Sequence, residues 1–308
     1  MTTQRFNDPH HLVSAAVVVG VDGSAGSDAA LRWAAELAAD RKRPLHILHG
    51  MDLAGMSRVL GIYHVSVPAV VDSVRAHAKT VVERAQHLAE TVAPGLPITV
   101  VTSPDSAAAL LIEHSADAYA VVLGATGTSG TLGHLGSTLL AVTAHAQGSV
   151  FVVRTDPESD NSVHTSGPVV VGIDGSAVDD AAIGAAFAEA AQRGERLIAV
   201  HVWGDWNIGT FAGQDLGWLD ISGVDNAEHA ILAERLAGWH EKYPEVDVIR
   251  KVYATEPAAQ LREWSRVAQL VVVGSRGRGG FTGMLLGSTS HSLVQHAACP
   301  VLVVHPEK

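Results

Sequence analysis

The sequence predicts an α/β protein of two tandem doubly wound domains, each a five-stranded parallel sheet of flavodoxin-like or Rossmann-like winding. Three observations predict it. The chain repeats itself at long range: "VVVGVDGSAGSDAAL" (Val17–Leu31) matches "VVVGIDGSAVDDAAI" (Val169–Ile183) at 11 of 15 positions. Within each copy, short apolar runs rich in β-branched residues alternate with segments of helical period. A polar, proline-bearing stretch, "RTDPESDNSVHTSGP", separates the copies. The offset is 152 residues from Asp22 to Asp174 and 151 from Gly136 to Gly287. A period this long marks a duplicated domain rather than a solenoid unit. The predicted organisation is a tail over 1–14, a first domain over 15–154, a linker over 155–167 and a second domain over 168–308.

The elements of the first copy follow in order. "AAVVVGV" is a continuous apolar run, as a strand buried on both faces must be. "SDAALRWAAELAADR" has helical spacing, with Ser27 as a candidate cap. "PLHILHG" is the second strand, and "AVVDSVRAHAKTVVERAQHLAETV" a long amphipathic helix. "PITVVTS", "DSAAALLIEHSA", "YAVVLGA", "GSTLLAVTAHA" and "SVFVVR" complete the unit. The second copy runs the same way, through "PVVVGID", "DDAAIGAAFAEAAQR", "RLIAVHV", "NAEHAILAERLAGWHEKY", "VDVIRKV", "EPAAQLREWSRVA", "LVVVGS", "GSTSHSLVQHA" and "PVLVVH". The closing strands are apolar, and an apolar edge strand tends to be paired. They predict an internal pseudo-dimer of the two units, and association of two chains as a homodimer.

Composition narrows the function classes. Of 308 residues, 47% are apolar and 17% charged, which excludes general disorder. A formal net charge of −11 argues against nucleic acid or an anionic membrane as partner. One cysteine, Cys299, allows no internal disulfide and points to a reduced, cytoplasmic compartment. The first residues carry no basic start and no cleavage site, so neither a signal peptide nor a membrane span is expected. Seventeen histidines are scattered without metal-ligand spacing, and no metal site is expected.

In a doubly wound sheet, ligands bind beyond the carboxyl ends of the strands. Two segments per unit fall there. One is the turn after strand one: Asp22, Gly23 and Ser24, repeated as Asp174, Gly175 and Ser176. The other is the glycine loop after strand four, "GATGTSGTLGHLGST" in the first unit and "GSRGRGGFTGMLLGST" in the second. Glycine lets backbone approach a ligand closely, and inward amides make an anion nest. The following helix starts at Gly136-Ser137-Thr138 or Gly287-Ser288-Thr289, so its free N–H groups face the same place. Arg276 and Arg278 add positive charge in the second unit. This is a phosphate cradle, but not a P-loop, since Ser288 rather than lysine follows Gly287. Nor is it a dinucleotide fingerprint, whose glycines follow strand one.

The Asp-x-Ser turn, combined with G-x2-G-x9-G-[S/T], resembles the ATP-binding branch of the universal stress protein family. Gly274, Gly277, nine residues, Gly287 and Ser288 match that spacing, and the resemblance covers nearly the whole chain twice, as in a tandem-domain member. The resemblance implies that Asp22 and Asp174 lie by the nucleotide. It implies that Gly50 and Val202, after the histidines ending strand two, meet adenine through their backbone. It implies that the glycine loops hold ribose and phosphates. ATP, with Mg2+, is the implied cofactor, and the implied role is regulation in stress or dormancy through a protein partner, with no catalytic residue. The first unit departs from the pattern: eight residues separate Gly127 from Gly136, and Ala125, Thr126 and Thr128 stand where the second has Ser275, Arg276 and Arg278.

Blander readings stand beside these. Asp22 and Asp174 are possible helix caps, the glycines possible tight connections, and the arginines possible solvated charges. His49 and His201 read as structural, Cys299 as core, and Trp203, Trp206 and Trp218 as either pocket cover or packing. Three functions follow: a nucleotide-binding regulator, a slow ATP hydrolase or self-phosphorylating protein, and an assembly module without ligand.

Overall fold

The computed structural model describes residues 10, 12, 14–62, 67–127, 136–156, 158–175, 179–203, 221–277 and 286–306, and for 58–62, 67 and 221–227 the backbone alone. The chain divides into two compact units, the first running to Thr155 and the second from Asp156.

In the first unit, β1 (Val17–Gly20), β2 (Leu45–Gly50), β3 (Ile98–Ser103), β4 (Ala120–Gly124) and β5 (Ser149–Val153) alternate with α1 (Ala25–Asp40), α2 (Leu53–Ile62), α3 (Val67–Val92), α4 (Ala107–His114) and α5 (Ser137–His145). All pairings are parallel, in the order β3-β2-β1-β4-β5. The second unit repeats this with β6 (Val169–Ile173), β7 (Leu197–Val202), β8 (Val248–Tyr253), β9 (Leu270–Gly274) and β10 (Val301–Val304). Its helices are α6 (Asp179–Arg193), α7 (Ile221–Lys242), α8 (Pro257–Ser265) and α9 (Ser288–His296), and its order is β8-β7-β6-β9-β10.

Of the two windings named above, this 3-2-1-4-5 order is the Rossmann-type one. The third strand of each unit therefore lies outermost. Its sequence suits an edge: β8 carries exposed Arg250 and Lys251, and charge on an edge strand blocks unwanted pairing. Central strands are the opposite. Val17, Val19, Val121, Val122, Val169, Val171, Val271 and Val272 are wholly buried. Helices cover them with small residues, so that Ala30, Ala34 and Ala38 of α1 let the helix sit close to the sheet. Two aromatic plugs complete the cores, Phe151 beside Trp33 (ring centroids 4.6 Å apart) and Phe187 against Trp239 and Tyr243. Truncating either phenylalanine to alanine costs about 3–5 kcal/mol.

The winding reverses between β1 and β4, and between β6 and β9. The loops leaving those strands consequently meet above the sheet, which fixes where a ligand is offered a site.

Candidate functional site

At the reversal in the first unit, the turn after β1 is built by three local forces. Gly23 has φ +82°, a backbone conformation that favours glycine. Asp22 Oδ1 accepts the N–H of Ser24 at 2.9 Å. Ser24 then caps α1, its Oγ accepting the N–H of Ser27 at 3.1 Å. Ser24, not Ser27, is the cap; the side chain of Ser27 instead donates to Ser24 O at 3.0 Å. Asp22 therefore shapes the turn without capping the helix.

The glycine loop comes down onto this turn. Ser24 Oγ donates to Thr126 O at 3.3 Å. A Cβ on Gly26 would run into Thr126 O, and one on Gly124 into Gly26 O. A Cβ on Gly127 would stand 2.9 Å from Asp22 Oδ2. Segments a hundred residues apart thus meet backbone to backbone, and the loop's middle glycine lies over the Asp22 carboxylate.

The second unit repeats the geometry with different chemistry. Gly175 has φ +79°, and a Cβ on Gly277 would stand 2.5 Å from Asp174 Oδ2. Where the first unit has Ser27, the second has Asp179, 4% exposed. Its Oδ2 accepts the N–H of Asp174 at 2.9 Å and of Gly175 at 2.6 Å. Burial first, then the charge of Asp174 and a side-chain hydrogen bond to it, push the Asp179 carboxyl from 3.8 up to about 7. Arg276 and Gly277 are exposed at this end of the sheet. Ser275 is buried, and its Oγ has no partner among the described residues. Ser176 and Arg278 lie outside the described residues, as do Thr128, Trp206 and Trp218.

The helices after the two loops differ from the other capped helices. Ser24, Ser106 and Glu256 cap α1, α4 and α8 with side-chain acceptors. Gly136 and Gly287, at the starts of α5 and α9, provide no side-chain cap. The first-turn N–H groups of these two helices, bearing Ser137 and Thr138 or Ser288 and Thr289, suit an anion. The geometry of the described residues does not demand glycine there. Gly136 (φ −59°, ψ 143°) and Gly287 (φ −66°, ψ 152°) have conformations open to any residue. No described atom lies within 4 Å of a Cβ on Gly136, and one on Gly287 would meet its neighbours at 3.6 Å or more. Among the described residues neither backbone nor packing requires glycine at these positions, and the space left fits a nucleotide. No group of three or more metal-ligating side chains that could hold a metal ion occurs among the described residues.

Gly50 and Val202 end β2 and β7. A Cβ on Gly50 would collide with the backbone of Ala107, so glycine at this position lets α4 start close to the strand end. The preceding histidines brace the same region: His49 Nδ1 meets Val21 O at 2.8 Å, and His201 Nδ1 meets Ile173 O at 2.7 Å. His201 Nε2 also meets Glu228 Oε2 at 2.6 Å. Trp203 follows Val202, its buried indole N–H unpartnered among the described residues.

Two residues here escaped the sequence reading. Arg84 of α3 donates to Gly23 O at 3.2 Å and pairs with Asp28 at 2.6 Å. Arg235 of α7 donates to Gly175 O at 2.9 Å. Each pins its Asp-Gly turn from the facing helix. Their near-equal place in the repeat, 151 residues apart, was the available signal.

Comparison with known proteins agrees with this duplicated geometry. The model of the Universal stress protein family matches residues 15–154 and again 166–305. A universal stress protein of Mycolicibacterium smegmatis is 42% identical over 298 residues, covering 94% of this chain and 97% of that protein. One from Mycobacterium tuberculosis is 36% identical over 295 residues, covering 94% and 96%. The crystal structure of a universal stress protein from Archaeoglobus fulgidus superposes with a TM-score of 0.66 at 19% identity, covering 94% of this chain and 98% of that one. At that identity the likeness speaks for the fold.

Proposed function

The chain belongs to the universal stress protein family, and from that premise we propose that it binds ATP in both units and acts as a nucleotide-dependent regulator under stress. One observation carries the reading. In each unit the loop after the fourth strand sets a glycine against the carboxylate that ends strand one, Gly127 on Asp22 and Gly277 on Asp174. In the second unit a helix start without a side-chain cap stands beside this contact, the N–H of Gly287 donating to Ser275 O at 2.8 Å, and in the first an equally uncapped start follows the loop at Gly136. A bound ATP supplies a flexible polyanion and an apolar base. The chain's part is to receive phosphates at the first-turn amides of α5 and α9, those of Ser137 and Thr138 and of Ser288 and Thr289, and to offer adenine the backbone at Gly50 and Val202.

The same proposal gives the chain no turnover. Asp22 is engaged by the Ser24 amide, and Asp179, although it titrates near neutrality, is buried to 4% exposure with its Oδ2 held by two amides, so neither is offered to an attacking water. The output passes to a protein partner, in the cytoplasm, from a homodimer. Steady-state phosphate release measured on protein with bound ATP tests it. Stoichiometric binding with no sustained release supports a regulator. Sustained release, or phosphate transferred to a serine or threonine of the loop, supports the enzyme reading instead.

A further inference from the structure

The two sites differ at one buried position. Ser27 in the first unit is a small neutral hydroxyl donating to Ser24 O. Asp179 in the second is a carboxyl group buried to 4% exposure, its Oδ2 accepting the N–H groups of Asp174 and Gly175 with the Asp174 carboxyl close by. Two carboxylates can share a hydrogen bond only with a proton between them. Asp174 in turn faces Gly277 of the glycine loop. The pair therefore lies directly beneath the loop at the reversal of the sheet.

We propose that the second site is proton-linked: the Asp174–Asp179 pair holds one shared proton, and anionic nucleotide binds while that proton is in place. The inference rests on the nucleotide-binding reading above and names the regulation of that site. With the proton, the pair carries one negative charge beneath the phosphates. Without it there are two, in a place where burial weakens screening. Other charged groups stand on neighbouring elements. Arg235 of α7 donates to Gly175 O, Arg276 lies in the loop after β9, and Asp180, next on α6, accepts from Trp239 Nε1. The first site has Ser27 in place of the second carboxyl, so it lacks this switch. A rise in pH through neutrality thus weakens the second site and spares the first.

The test is calorimetric titration of the full-length chain with Mg2+-ATP at pH 6 and pH 8, for the wild type, Asp179→Asn and Asp179→Ser. A carboxyl titrating at about 7 is protonated in most molecules at pH 6 and in roughly a tenth at pH 8. The tighter wild-type site is expected to weaken about tenfold between the two, and both variants to lose most of that dependence. The variants also control for titration of ATP itself. Equal wild-type affinity at both pH values, or an unchanged dependence in Asp179→Asn, overturns the proposal. So does an affinity that rises with pH, as a divalent cation displacing the proton would give. The shared proton is read separately by a carboxyl-carbon NMR titration of the nucleotide-free chain. A near-neutral titration lost in Asp179→Asn, together with no ATP heat at any pH, would retain the proton pair but overturn the nucleotide reading and the linkage.

Discussion

Asp179 Oδ2 accepts the backbone N–H of Asp174 at 2.9 Å at the end of β6, and the charge of Asp174 raises the titration of the buried Asp179 carboxyl. Asp179 thus holds the turn through the amides of Asp174 and Gly175, while the Asp174 carboxylate raises its titration.

That arrangement has a cost in stability that depends on pH. The Asp179 carboxyl titrates near 3.8 when unfolded and at about 7 when folded. The native state binds more protons in that window. The stability it contributes is fully present below pH 3.8, declines as pH rises to about 7 and stays lost above. Asp179→Asn keeps an oxygen for the two amides and carries no charge. At pH 8 it is expected to stabilise the second unit, by about 1–3 kcal/mol, and at pH 4 to change little. Thermal melts at the two pH values check this.

The loop glycines separate packing from binding. Gly26→Ala places a methyl group into Thr126 O, so it is expected to destabilise the first unit by about 1–3 kcal/mol. Among the described residues Gly287→Ala meets only ordinary contacts, and it is expected to cost less than about 1 kcal/mol as a poorer helix cap. Its effect should fall on nucleotide affinity instead. Paired denaturation and binding measurements on both variants distinguish the two outcomes.

Arg276 sets the second site apart from the first, which has Thr126 there. A charge-assisted contact to phosphate contributes roughly 1.5–3 kcal/mol before screening. Arg276→Thr is expected to weaken the second site about tenfold for ATP, less for AMP, and least at high salt. A salt series of titrations with both nucleotides measures it.

Arg84 pins the first turn but is half exposed, as is its partner Asp28 in lesser degree. An exposed pair contributes about 0.2–1 kcal/mol. Arg84→Ala is therefore expected to lower the thermal midpoint only slightly, while hydrogen exchange at Gly23 and Ser24 speeds up.

Most of the fold could be read from residues in their order. Runs such as Val17–Val19 and Val169–Val171 announce central strands because both faces are buried. The Rossmann-type winding was present too, in Arg250 and Lys251, whose charges suit only an edge. Helix α2 was not legible: Gly55 and Gly61 interrupt "LAGMSRVLGI", and the stretch reads as loop. At the site, the Asp-Gly turns and glycine loops are visible as motifs because their backbone demands are local. The contact of Gly127 with Asp22, or Gly277 with Asp174, depends on chain folding between segments a hundred residues apart. Asp179 was visible as the one acidic replacement of Ser27 in the repeat. Its turn back onto the amides of Asp174 and Gly175 was not, since side-chain direction follows from packing.

The central claim is that the duplicated Asp–glycine contact makes two nucleotide sites in one chain. Calorimetric titration of nucleotide-free, full-length protein with ATP at pH 6 and low salt tests it most directly. The account predicts two sites per chain, the tighter lost in Asp174→Ala and the weaker in Asp22→Ala. Absence of binding, or binding untouched by either substitution in a folded chain, would contradict it.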